Sequence, residues 1–194
     1  MNKLLSFLNR YANLRVSLIV LALLFLVIAP INSRMTDSLD ELSNGVSKLD
    51  FHKSYNVSLV RNLYESYGEQ GRALYAWDLL VDTFYPLAVA GAAMLFALTI
   101  VRKPILQKLL IVIPMIFLVT DVIENAFLLL FLGTYPSLSP TLVGISSFFT
   151  RVKLFTIYPT FYEMFLFMPI AIIMSVGAFI RNLWSNRKSA VQSQ

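Results

Sequence analysis

Four long apolar runs, separated by short polar segments, dominate the chain. The first, Val16 to Asn32, is uncharged and bounded by Arg15 and Arg34; with its flanks it is long enough to cross a hydrocarbon core of about 30 Å. A basic segment before an apolar stretch also fits a signal peptide. That segment is long, however, and no small-x-small cleavage pattern follows, so the run reads as an uncleaved anchor. The second run is Thr83 to Val101, and its helical pattern extends back to Arg72 because nothing between them breaks a helix. The third, Leu109 to Leu132, is closed by Gly133, Pro136 and Pro140. The fourth runs from Leu154 to Ile180. The short turn between the second and third makes them antiparallel neighbours.

The fold class this predicts is all-α: a polytopic membrane protein built as an antiparallel four-helix transmembrane bundle, with a small helical extracytoplasmic loop between spans one and two. The expected segments are a cytoplasmic interfacial segment (1–15), span one (16–32), the helical loop (33–71), span two (72–101) and a cytoplasmic loop (102–108). Span three (109–132), a second extracytoplasmic loop (133–153), span four (154–180) and a cytoplasmic tail (181–194) complete the chain, with disorder expected after Arg187. In the 33–71 loop, Ser38 and Glu41 have the spacing of a capping box opening a helix with Leu39, Leu42, Val46 and Leu49 on one stripe. A second stripe, Val57, Val60, Leu63, Tyr64 and Tyr67, ends at Gly68 and Gly71, which predict a bend into span two. Leu4, Phe7, Leu8, Tyr11 and Leu14 give the N-terminal segment one apolar face suited to lying on the bilayer.

Composition sharpens this picture. Only 14% of residues are charged, against about 25% in soluble proteins, which argues against a water-soluble enzyme. The absence of cysteine removes disulfides and thiolate metal sites, and a single histidine cannot supply paired haem ligands. Charge is also unevenly placed. The segments 1–15, 102–108 and 181–194 hold nine bases (Lys3, Arg10, Arg15, Arg102, Lys103, Lys108, Arg181, Arg187 and Lys188) and no acid; the rest holds seven bases and all eleven acids. By the positive-inside rule both termini are cytoplasmic, in a plasma or bacterial inner membrane. The net charge of +5 is then a topology signal toward the lipid bilayer as partner, and no nucleic-acid partner is expected. Ala88, Ala90, Gly91, Ala92, Ala93 and Ala97 give span two a small-residue face suited to close approach by another span or to homodimerisation.

Ionisable residues within the spans carry the candidate chemistry, since each costs about 2.5–3.5 kcal/mol at a helix centre unless partnered or hydrated. Asp121, Glu124 and Asn125 share one face of span three. Asp121 lies twelve residues past Leu109, about 18 Å at 1.5 Å per residue, somewhat beyond the midplane. Asp78, Asp82 and Tyr85 share a face of span two; Lys153, Thr156, Thr160 and Glu163 share one of span four. These faces overlap in depth and predict an outward-opening acidic vestibule. Its binding residues would be Asp82, Tyr85, Asp121, Glu124, Asn125 and Glu163, with Arg151 and Lys153 as charge partners. Asp78 and Lys153, at the outer ends of their spans, read more simply as interfacial. Tyr85, Tyr158 and Trp77 are candidates for an aromatic box around a cation. Pro86, Pro114, Pro159 and Pro169 lie within spans, where they bend helices or expose carbonyls.

Three functions fit these residues. The vestibule could bind or transport a cation, a proton or a basic small molecule. The same charges could instead be clasps in an assembly or interaction protein. In an intramembrane lipid-modifying enzyme, Asp121 or Glu124 would act as general acid or base. No cofactor is expected. A divalent cation would fall to Asp121, Glu124 and Asn125, all oxygen donors.

Overall fold

The computed structural model describes residues 2–192, with side chains described through Asn182; Arg187 and Lys188 lie outside the described side chains. Its regular structure is helical, with no strand among the described residues. The helices are α1 (Asn2–Tyr11), α2 (Leu14–Leu23), α3 (Ala29–Leu42), α4 (Val57–Asp82), α5 (Phe84–Ile100), α6 (Pro104–Thr134) and α7 (Pro140–Gln192). Four helical stretches are long and apolar enough to cross a membrane: Leu14–Leu42, Val57–Ile100, Pro104–Thr134 and Pro140–Asn182.

Local sequence accounts for the joints. Asn13 caps α2 by accepting from the Val16 N–H, and Asn56 caps α4 by accepting from the Leu59 N–H. A π-turn, Leu24–Ile28, joins α2 to α3, with the Ala29 N–H reaching the Leu24 carbonyl. Pro30 follows in the first turn of α3. Because that proline has no N–H to give, the wider turn re-pairs the helix there. Pro104 and Pro140 open α6 and α7, where a missing N–H costs nothing.

Several segment expectations are corrected. Ser38 caps no new helix: its hydroxyl donates to the Arg34 carbonyl in the middle of α3, since no breaker separates the Leu39 stripe from span one. The expected bend, by contrast, is present: within α4 two helical stretches meet at a kink at Gly68 (φ 60°, ψ −167°), the second stripe before it and the start of span two after it. Much of the expected 133–153 loop is helix, because nothing after Pro140 interrupts α7. That helix also runs on through the expected disordered tail to Gln192.

α5 lies at the centre, packed by α2, α6 and α7. Ala88, Ala90, Ala92, Ala93 and Ala97 are all buried, and a Cβ placed on Gly91 would lie 3.9 Å from Val20. The small-residue face is therefore used within the chain, with span one among its neighbours. One apolar cluster joins Leu39, Leu49, Val60, Tyr64, Leu128 and Val143; two others join α5 to Leu24, Ile111, Phe117, Met164 and Ala171. Close by them lies a set of buried charges.

Candidate functional site

The loop between α3 and α4 turns inward. A single 3₁₀ turn, Leu49–Phe51, is held by the apolar burial of Leu49 and carries its neighbours Lys48 and Asp50 into the helices. Lys48 Nζ lies 2.8 Å from Asp78 Oδ2 and 3.6 Å from Asp50 Oδ2, all three side chains being essentially inaccessible. Burial by itself would lower the Lys48 pKa. The carboxylates of Asp50, Asp82 and Asp78 outweigh that and hold it above its ordinary value, so the ammonium stays charged. One turn beyond Asp78, Asp82 accepts from Asn32 Nδ2 on α3 and, at 3.5 Å, from Asn125 Nδ2 on α6. The Asn125 amide also donates to Asp121 Oδ2 at 3.2 Å.

On the far side Lys153 of α7 reaches α6. Its Nζ lies 2.6 Å from Glu124 Oε2 and 3.4 Å from Asp121 Oδ1. The other Glu124 oxygen accepts from Thr150 Oγ1 at 2.6 Å. Behind this pair, the Tyr55 hydroxyl lies 2.6 Å from Ser146 Oγ, and the Tyr55 N–H donates to Ser147 Oγ. Burial, reinforced by the Glu124 charge, pushes the Tyr55 phenol up to about 12, so it remains a neutral hydroxyl.

A cavity of about 360 Å³ opens beside this layer. Asp50, Asp82, Asp121, Lys153, Asn32 and Tyr85 supply its polar lining; Ala29, Phe117, Leu154 and Ile157 supply its apolar wall, and Ser33, Thr36, Asp37 and Phe51 complete it. Five buried carboxylates (Asp50, Asp78, Asp82, Asp121 and Glu124) therefore share two ammonium groups, Lys48 and Lys153. The surplus lies toward the cavity. Asp50 Oδ1 and Asn32 Oδ1 are buried acceptors with no hydrogen-bond partner among the described residues, and both residues line it.

Comparison with protein-family models, curated proteins and solved structures finds no match. The geometry alone must carry a reading.

Of the sequence-predicted binding residues, Asp82, Tyr85 and Asp121 face the cavity together with Lys153. Glu124 and Asn125 are buried behind them rather than on its lining. Glu163 does not join: it lies nearly three turns along α7 from Lys153, half-buried and outside the lining. Arg151 is exposed, its Nε 3.5 Å from the Ser147 carbonyl of its own helix, and neutralises none of these acids. Asp78 and Lys153 are both buried, each against an opposite charge. Trp77 and Tyr158 are exposed, so no aromatic box forms with Tyr85. Between Asp121 and Glu124 the Lys153 ammonium occupies the position a divalent cation would take, and no group of three His, Cys, Asp or Glu suited to a metal is found among the described residues.

Sequence reasoning missed Lys48, Asp50, Asn32 and Thr150. One signal was present: Asp78 and Asp82 needed compensation, and the loop held two unassigned lysines, Lys48 and Lys53.

Proposed function

We propose that this integral membrane protein binds a basic small molecule in an acidic cleft that faces outward. In this reading the four spans form an antiparallel bundle with both termini cytoplasmic, and the α3–α4 loop caps the bundle on the outside. The observation that carries it is the carboxylate surplus on the cavity: Asp82, Asp121 and Asp50 line it, while Lys153, the cation among them, is already engaged by Glu124. A monocation entering there would relieve that surplus. The cavity volume lies within the about 300–1,000 Å³ common for small-molecule sites.

The charges divide between two roles. Lys48–Asp78 and Lys153–Glu124–Thr150 are closed pairs between segments, which supports a clasp role for those residues. The cavity acids are the binding residues. The test is binding of n-butylammonium to the full chain in lipid nanodiscs, followed by native mass spectrometry. Asp82→Asn/Asp121→Asn should weaken binding at least tenfold while Glu163→Gln leaves it unchanged. Equal binding by wild type and the double variant would overturn the proposal.

A further inference from the structure

The two unpartnered acceptors in the cavity specify what the ligand must bring. Asp50 is 2% exposed and lines the cavity, and its buried Oδ1 has no donor. The Asn32 side-chain amide is spent on Asp82, which leaves its own Oδ1 without a donor beside the same space. The nearby donors reach other oxygens: Lys48 bonds Asp78, Lys153 pairs with Glu124 and Asp121, and both N–H groups of the Asn125 amide go to Asp121 and Asp82. Buried acceptors are almost always paired, because an unpaired one forfeits its hydration. A ligand that donates N–H bonds as well as carrying positive charge suits a layer of carboxylate and amide acceptors. A primary ammonium has three donors on one centre and a quaternary ammonium has none.

The rest of the cavity describes the other end of the ligand. Ala29, Phe117, Leu154 and Ile157 form a continuous apolar wall against the acids. Along span one, just before Ala29, Phe25 and Leu26 are exposed; on α7, beside Leu154, Phe155 is 81% exposed. Both flanks of the cleft thus present apolar side chains at the depth of the spans, where their surroundings are hydrocarbon.

Resting on the binding role proposed above, we infer that the ligand is a membrane-dissolved amphiphile with a primary-ammonium head and an alkyl tail, reaching Asp50, Asp82 and Asp121 laterally between α3 and α7. The head meets the carboxylates and the two free acceptors. The tail lies along Phe117, Leu154 and Ile157 toward the lipid.

Three probes separate the parts of this inference in nanodiscs holding the full chain: n-butylammonium, n-dodecylammonium and dodecyltrimethylammonium, each titrated and read by native mass spectrometry. Asp82→Asn/Asp121→Asn serves as the control for partition into lipid. Dodecylammonium should bind at least tenfold more tightly than either of the others. Ala29→Phe, which fills the apolar side, should remove that advantage. Equal affinity for butyl- and dodecylammonium would overturn the tail and the lateral route, with the amine site left standing. Equal affinity for the trimethyl compound would overturn the N–H requirement. Binding of neither primary amine would overturn both this inference and the binding role beneath it.

Discussion

Lys48 Nζ lies 2.8 Å from Asp78 Oδ2, joining a loop to the interior of a long helix through two side chains that are almost wholly inaccessible. Breaking such a pair by removing one member strands the other charge, at about 3–5 kcal/mol. Lys48→Met should therefore destabilise the detergent-solubilised protein by that amount in chemical unfolding. Lys48→Met/Asp78→Asn should recover part of it, because the stranded carboxylate is gone. If the single variant unfolds at the wild-type denaturant concentration, the loop is not anchored by this contact.

The same pair sets the response to alkali. The pKa of Lys48 is raised in the folded protein, so its contribution is fully present below the ordinary lysine value of about 10.4 and is lost as pH climbs through the higher folded value. Tyr55, pushed up to about 12 by burial and Glu124, acts in the same direction: the unfolded chain ionises first. Thermal midpoints should be level from pH 7 to about 10 and fall above it. Tyr55→Phe together with Lys48→Met/Asp78→Asn should flatten the fall relative to wild type; an equally steep fall in that variant would assign the alkaline transition to other groups.

The four apolar stretches were legible because each is a long local pattern, and the acids of α6 were legible because their spacing of three and four residues needs no tertiary information. Lys48 and Asp50 were not. They flank Leu49, the last position of the apolar stripe, and their burial follows from where that leucine docks, a contact between distant parts of the chain. Glu163 shows the converse. It shares a stripe with Lys153, yet periodicity says only which residues lie on a common face and not how far along that face a cavity extends. Of the two uses the small-residue face of α5 suggested, close approach by another span is the one the fold displays, because close approach is what a helix with neighbours on several sides requires.

Orientation can be tested directly because the native chain has no cysteine. In whole cells, Ser137→Cys, exposed between α6 and α7, should react with a membrane-impermeant maleimide. Lys103→Cys, exposed in the turn between α5 and α6, should react only after the membrane is opened. The reverse pattern would place the acidic cleft on the cytoplasmic side and overturn the outward-facing assignment.

Gly68 controls where α4 delivers Asp78 and Asp82. Its φ of 60° and ψ of −167° fall in a region open essentially to glycine, and the resulting kink sets the direction of the helical stretch that carries the acids relative to the stripe before it. A Cβ built there meets nothing within 4 Å, so any penalty for Gly68→Ala comes from the backbone and not from a clash. That substitution should cost about 1–3 kcal/mol in equilibrium unfolding. Gly177→Ala is the matched control: it also has open space, but it lies inside α7 without a positive φ, so it should be neutral or stabilising by up to about 1 kcal/mol. Because the two sites offer a new methyl group the same empty surroundings, a difference between them isolates the backbone. If the two variants match, the bend at Gly68 does not depend on glycine, and the placement of Asp78 and Asp82 must be determined by Lys48 and Asn32 instead.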